Sequence, residues 1–421
     1  MINRKEIRVY ADWIFPGPSV LMGILEAVHA RGKENFSFEY NPEWLQRNYS
    51  MVMDPDLQLF SGRFFPRNEK QNFGLFLDSC PDRWGRVLME RREQMMARKE
   101  NRPPQHLLES DFLLGVYDGH RMGGLRFKLS DEGNFLNDDR LMSTPPFTSL
   151  QELEHACRKF EEQDINDDEN LKWISMLIAP GASLGGARPK ASVLDKNNQL
   201  WIAKFPSIND KKDVGAWEFI AGKLAEKAGI NMANTTFKKF NNGNHTFLSS
   251  RFDRNNKNER IHFASAMTML GYSDGDGANE GVSYLEVMEF IVRNGMDVDA
   301  DLEELWRRIV FNIVIKNTDD HLRNHGFILM ENGWKLSPAF DINPNEYGSG
   351  LSLNISEKDN SLDLDLAISV AENFRVDVQN SKKIIAQIKS TVRNWKQLTP
   401  EINLSRNEIN LLETVFEEAF R

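Results

Sequence analysis

Residues 317–346, NTDDHLRNHGFILMENGWKLSPAFDINPNE, decide how the rest of the chain is read. The stretch opens as a polar loop and continues as two short apolar runs, HGFILM and WKLSP, joined by a Glu-Asn-Gly turn, the pattern of a β-hairpin. Asp319 and Asn324 lie in the loop with four residues between them, and Asp341 comes after the second run, seventeen residues beyond Asn324. Immediately upstream, Leu302, Leu305, Trp306, Ile309, Val310 and Ile313 recur at helical spacing with Phe311 and Ile315 alongside, which predicts a largely buried helix over 301–316. A loop that leaves a buried helix and runs into a hairpin is held at both ends, and such loops can aim side chains.

Working outward, the segment GASLGGARPK at 181–190 feeds a strand-like KASVL, a polar DKNN turn and a second strand-like QLWIAKFP. From Asp213 to Gly229 the apolar positions Trp217, Ile220, Ala221, Leu224 and Ala228 mark one helical face, with Gly229 placed to end it. HTFLSSRFDR at 245–254 reads as a strand, and the chain beyond it as mostly helical. Before position 130, short strand-like runs such as Phe36–Tyr40 and the closing GLRFKL, with a helical stretch around Arg83–Glu100, suggest a small α+β unit. The acidic EEQDINDDEN at 161–170 holds six carboxylates in ten residues and fits a solvated helix end or linker better than a calcium loop, which needs glycine and a spaced terminal Glu.

Composition sets the outer limits. At 421 residues the chain is long enough for two or three domains of ~150 residues. Cys80 and Cys157 alone make neither a disulfide framework nor a zinc cluster. No apolar run approaches the ~18 residues of a bilayer span. Glu6 and Asp12 interrupt the place of a secretory signal, so a cytoplasmic chain with no membrane role is expected. A net charge of −10 argues against diffuse binding to nucleic acid.

The chemistry these residues suggest is phosphoryl transfer. Protein kinases use the order Asp, four residues, Asn, and then a metal-binding Asp after a β-hairpin. An Asp beside a γ-phosphate orients and deprotonates a hydroxyl, while an amide oxygen and a second carboxylate give Mg²⁺ hard ligands. The same residues have plainer readings. Asp319 suits a helix cap or turn, with Asp320 as its nearest rival, and His321 suits a hydrogen-bonding loop residue. Lys204, inside an apolar strand, needs an anionic partner, either nucleotide phosphates or Glu218 on the next helix, unless it snorkels at a sheet edge. GASLGGARPK matches no standard phosphate-loop motif, yet its glycines let backbone N–H groups approach a polyphosphate that Arg188 or Lys190 could neutralise.

Taken together, the chain resembles the HipA-like serine/threonine kinase toxins of bacterial toxin–antitoxin modules. SLGGARPK at 183–190 is similar to the family's SVAGAQEK loop, WIAKFP to its IIKLP strand and SSRFDR at 249–254 to its VERFDR hinge. NTDDHLRNHGFIL resembles TDGHAKNFSVF, and LSPAFDINP resembles LTPFYDI. FSFEYNPEWL and FLDSCPDRWGRVLMERRE resemble its N-terminal segments. The resemblance implies an α+β, protein-kinase-like two-lobed fold with an extra N-terminal subdomain at 1–130, a nucleotide-binding lobe at 131–255 and a helical C-terminal lobe at 256–421.

It implies ATP and Mg²⁺ as cofactors, Asp319 as the catalytic base, and Asn324 and Asp341 as metal ligands. Lys204 is expected on the nucleotide phosphates, supported by an ion pair with Glu218, and Ser183, Gly185, Gly186 and His321 are carried with the nucleotide-contacting set. The backbone near Ser250 and Phe252 would meet adenine, Asp253 the ribose, and Ser183 would be autophosphorylated. The family further implies a HipB-like helix-turn-helix antitoxin as partner, DNA only through that antitoxin, and growth inhibition by phosphorylating a translation-related protein such as an aminoacyl-tRNA synthetase. Two other readings stay open: a small-molecule kinase, and a nucleotide-binding corepressor without transfer activity.

Overall fold

A computed structural model describes residues 3–13, 17–47, 51–67, 70–136, 144–162, 174, 177, 188–240 and 243–418. The chain clusters into two compact units that interleave in sequence. One comprises residues 1–208, 251–273 and 328–331, the other residues 209–250, 274–327 and 332–421. The expected segments 1–130, 131–255 and 256–421 are consecutive, so this clustering differs from them. One of its boundaries falls inside SSRFDR, between Ser250 and Arg251, within the segment expected to form one nucleotide-binding lobe.

The first unit is built on a five-stranded antiparallel sheet in the order β4-β3-β2-β1-β5, from β1 (Asn3–Ala11), β2 (Val20–Ala30), β3 (Lys33–Tyr40), β4 (Arg63–Phe64) and β5 (Leu125–Lys128). Alternation sets its faces. Ile7, Val9, Leu25, Phe38 and Phe127 are fully buried on one side, while Arg4 and Glu26 pair at 2.9 Å on the other. Arg31 (φ 54) and Gly32 (φ 78) close the β2–β3 hairpin, and two left-handed residues in succession match the right-handed twist of the strands.

A 17-residue helix, Arg83–Lys99, begins at Asp82, whose carboxylate accepts the Gly85 N–H at 2.8 Å. Later in the same unit come β6 (Lys190–Leu194) and β7 (Leu200–Lys204), joined through Asp195, whose side chain accepts N–H bonds from Asn197 and Gln199. Cys80 and Cys157 are buried free thiols, and burial pushes the Cys80 thiol up to about 12, leaving it unreactive.

In the second unit the helix Val214–Lys227 packs on the hairpin of β8 (Thr235–Lys239) and β9 (His245–Ser250). Asp213 caps it, accepting from Ala216 N at 3.2 Å and from His245 through both N (2.9 Å) and Nδ1 (2.5 Å). Gly229 lies just past the helix at φ +84, where a side chain would be strained. β9 stops at Ser250, four residues short of the run read as strand.

The helix Val298–Ile315 buries Leu302, Leu305, Trp306, Ile309, Val310 and Ile315 completely and packs against the helices Tyr284–Asn294 and Val378–Arg393. Each such side chain contributes roughly 1.5–3 kcal/mol of burial. Near its start, Asp301 accepts the Leu336 N–H at 2.8 Å and so holds the strand Gly333–Leu336 against the first turn. Beyond that strand, residues 337–363 carry no helix, although the sequence suggests a mostly helical region. No helix among the described residues is long and apolar enough to cross a membrane.

Candidate active site

The helix Val298–Ile315 ends at Lys316, which adopts a left-handed conformation (φ 57) and turns the chain sharply into the loop Asn317–His325. The two adjacent aspartates of that loop part company: Asp319 is exposed and Asp320 is buried. Asp320 Oδ2 accepts three hydrogen bonds, from the Tyr284 hydroxyl (2.6 Å), Asn312 Nδ2 (2.5 Å) and His325 Nε2 (2.8 Å). Burial opposes ionisation of Asp320, yet the His325 charge and these hydrogen bonds hold its carboxyl below the usual carboxylate range. Tyr284 responds in the opposite sense, because burial and then the Asp320 charge push its hydroxyl well above the usual tyrosine value. Asp320 is thus the internal anchor of the loop, and Asp319 is left facing outward.

Asn324 is tied to Asp319 through the backbone: its Nδ2 donates to the Asp319 carbonyl at 2.8 Å, and its own N–H donates to the His321 carbonyl at 2.8 Å. With the amide nitrogen used, Oδ1 faces the other way, buried and without a hydrogen-bond partner among the described residues. Asp341 is a non-glycine residue at φ 56, a conformation retained only where surroundings enforce it. Two residues earlier, Ala339 is bonded on both sides to residues 231–233, which fixes the chain that leads into Asp341. Asn343 Nδ2 donates to Asp341 Oδ1 at 3.2 Å, and Asn343 N donates to Asn317 Oδ1 at 3.3 Å. Asn317 Nδ2 donates to Asn312 Oδ1 (3.0 Å), and Asn312 reaches Asp320. Asp341 and the Asp319–Asn324 loop are therefore joined by a relay of asparagine amides.

A second set of contacts fixes the residue just before Asp319. Thr318 Oγ1 accepts from Asn345 Nδ2 and its carbonyl accepts from Ser352 Oγ, both at 2.8 Å. Gly348 lies so close that an added Cβ would meet Thr318 Oγ1 at 2.0 Å. Only glycine fits there.

The donor set fits a divalent cation. Asn324 Oδ1 and Asn343 Oδ1 are both buried oxygens without hydrogen-bond partners among the described residues, the hard-oxygen kind of ligand Mg²⁺ takes, and Asn343 also bonds the Asp341 carboxylate through Nδ2. His321 contributes backbone bonds that shape the turn, with its Nδ1 buried and unpartnered among the described residues.

The remaining expected residues are carried by other elements. Lys204 is buried at the end of β7 and Glu218 on the buried side of the helix Val214–Lys227. Lys190, read as able to neutralise a polyphosphate, is engaged by Asp82 at 2.7 Å. Ser250 donates its N–H to the Asn234 carbonyl at 2.8 Å, and the Phe252 ring packs on Phe263 at 5.8 Å. Ser183, Gly185 and Gly186 lie outside the described residues.

Asp253 departs from its expected part. It is fully buried, and its oxygens accept from Arg251 (2.8 and 2.6 Å), Arg254 (2.6 Å) and Gly123 N (2.8 Å), which leaves no side-chain face for a ribose. The arginines flanking it in SSRFDR explain why: a buried carboxylate with two guanidiniums beside it forms an ion cluster.

Comparison with known proteins bears on this geometry. The HipA-like C-terminal domain model matches residues 182–395, just over half of the chain. The chain belongs to the HipA-like family. The HipA-like chain is 27% identical over 271 residues to the serine/threonine-protein kinase toxin HipA of Shewanella oneidensis, covering 58% of this chain and 60% of that one. It is also 25% identical over 180 residues to a provisionally named kinase of Haemophilus influenzae, covering 38% of this chain and 52% of that one. It thus spans between half and three fifths of the relatives it matches. In three dimensions it is similar to the HipA of the Shewanella oneidensis toxin–antitoxin system solved with HipB and its operator DNA, with a TM-score of 0.66, 16% identity and coverage of 98% of this chain and 95% of that one. The mixed α+β, kinase-like fold is that of HipA.

Residue patterns missed the anchoring side chains: Tyr284, Asn317, His325, Asn343 and the internal role of Asp320. One signal was present. Asn312 stands inside the apolar run Ile309–Ile315, and a polar amide on a buried helix must have a partner.

Proposed function

We propose that this HipA-like chain is an ATP- and Mg²⁺-dependent serine/threonine protein kinase that acts as the toxin of a toxin–antitoxin module. The observation that carries the reading is the pairing of an outward-facing Asp319 with an Asn324 whose Oδ1 is buried and without a hydrogen-bond partner among the described residues, in a loop linked by hydrogen bonds to Asp341. Asn324 and Asp341 would hold the metal, which when bound neutralises the polyphosphate charge as the γ-phosphoryl group leaves. Asp319 orients a serine or threonine hydroxyl and takes its proton as the new P–O bond forms and the bond to ADP breaks. Lys204 neutralises nucleotide phosphates in this reading, on the strength of its buried strand position and the family resemblance. Asp320 does no chemistry; its three donors keep the loop in place so that positioning costs little at the moment of transfer.

The Shewanella oneidensis relative is assembled with HipB and operator DNA, which supports a HipB-like antitoxin as partner here. The protein target is proposed to be translation-related, with an aminoacyl-tRNA synthetase as the first to examine, and Ser183 as the site of self-modification. Expression of wild type and Asp319→Asn in a bacterial host, each without an antitoxin, followed by phosphoproteomics, tests this reading. Growth arrest and new phosphosites, Ser183 among them, are expected for wild type alone. Equal growth with identical phosphoproteomes contradicts the toxin kinase and leaves the small-molecule kinase and the nucleotide-binding corepressor.

A further inference from the structure

Lys190 and Lys204 are directly opposite residues of the β6–β7 ladder, so their side chains leave the same face of the hairpin. Both are buried, at 4% and 8% exposure. Like charges directly opposite one another weaken a ladder, and a buried ammonium requires an anion. For Lys190 that anion is Asp82, whose Oδ2 lies 2.7 Å from Nζ with both side chains almost wholly buried. Asp82 is itself held rigidly, since its Oδ1 caps the helix Arg83–Lys99. Two positions on, the Trp84 indole N–H donates to the Lys190 carbonyl at 3.2 Å. The first turn of that helix therefore grips Lys190 by its side chain and by its main chain. Lys190 is the last residue of GASLGGARPK, and on its N-terminal side the Pro189 carbonyl accepts the Phe205 N–H at 2.8 Å.

We infer that Asp82 is a positioning residue for nucleotide binding: it neutralises and anchors Lys190, so that Lys204 and not Lys190 meets the nucleotide phosphates. The inference rests on the reading of Lys204 as a phosphate ligand and goes beyond it by assigning Lys190 to the scaffold and bringing a residue of the N-terminal segment into the reaction. Without Asp82, Lys190 would lose a rigidly held buried carboxylate while sitting opposite Lys204, whereas removing both members of a buried ion pair is far milder than removing one.

The test is calorimetric titration of the full chain with the magnesium complex of adenylyl-imidodiphosphate, alongside thermal melting without nucleotide. Asp82→Asn is expected to weaken binding at least tenfold, and the double variant Asp82→Asn/Lys190→Met to return it to within threefold of wild type. A merely structural role for Asp82 would lower and restore affinity only in step with the melting temperature, whereas the inference expects the tenfold loss in Asp82→Asn protein that is still folded at the titration temperature. Wild-type affinity in Asp82→Asn, or a double variant as weak as the single one, overturns the inference. Should Asp82→Asn fail to fold, the double variant decides alone: affinity within threefold of wild type supports the inference and a tenfold loss overturns it. Lys204→Met is expected to lose at least tenfold. If it binds like wild type, the phosphate role of Lys204 is wrong and the inference falls with it, a pattern distinct from failure at Asp82 alone.

Discussion

Two buried aspartates, Asp253 in the first unit and Asp320 in the second, are surrounded in contrasting ways. Asp253 is matched by charge: two arginines and a backbone N–H saturate it. Asp320 gathers a hydroxyl, an amide and an imidazole on a single oxygen. The first arrangement locks a segment of chain, and nothing in it offers a ligand a contact. The second fixes a loop by its inner face while leaving on the same loop an exposed carboxylate and an amide oxygen without a hydrogen-bond partner among the described residues. A buried acid thus serves the fold when its surroundings close on it, and serves a site when they hold only the backbone around it.

The largest effect that separates the two is on stability. Asp253→Ala strands two buried guanidiniums and should cost about 3–5 kcal/mol, read as a large fall in the denaturant midpoint. A loss under ~1 kcal/mol would mean that the cluster is solvated. Asp320→Asn should act mainly on rate, lowering phosphoryl transfer about a hundredfold by letting the Asp319 loop drift on the order of an ångström, with a smaller loss of stability. Near-normal transfer in that variant would remove Asp320 from the positioning of the site.

Acid distinguishes wild type from this variant. Burial works against ionisation of Asp320, but His325 and the other donors hold its folded value below the ordinary one near ~4. A depressed carboxyl gives stability that is complete above its unfolded value and is lost as the pH falls through its folded value. Wild type should therefore lose stability as the pH drops below ~4, and the Asn variant should lose less over the same window. Superimposable acid-unfolding curves measured by circular dichroism would contradict this.

Gly348→Ala is the next smaller change. Its methyl group would press on Thr318 and displace the residue before Asp319, so about a tenfold loss of transfer with a stability loss of about 1–3 kcal/mol is expected. Tyr284→Phe removes one donor of three and should cost ~1 kcal/mol with activity largely kept.

Much of this was legible in the sequence. The buried helix announced itself by period, the hairpins by turn residues, and the Asp319, Asn324 and Asp341 set by spacing within a strand-and-loop context. The hidden features depend on contacts distant in sequence. Asp253 in SSRFDR looks like a ligand until Gly123, 130 residues earlier, is seen donating to it. Asp320 looks interchangeable with Asp319 until Tyr284 and Asn312 turn one inward. The interleaved units were illegible for the same reason, since local periodicity says nothing about which segments return to an earlier core.

The most direct test of the central claim is transfer from γ-labelled ATP in purified protein, with nucleotide binding measured in parallel. Wild type should become labelled in the presence of Mg²⁺, Asp319→Asn should bind Mg·ATP with near-normal affinity and transfer nothing, and Asp341→Asn should lose both metal-dependent binding and transfer. Undiminished labelling in Asp319→Asn, or metal-dependent binding that survives the loss of Asp341, would contradict the account.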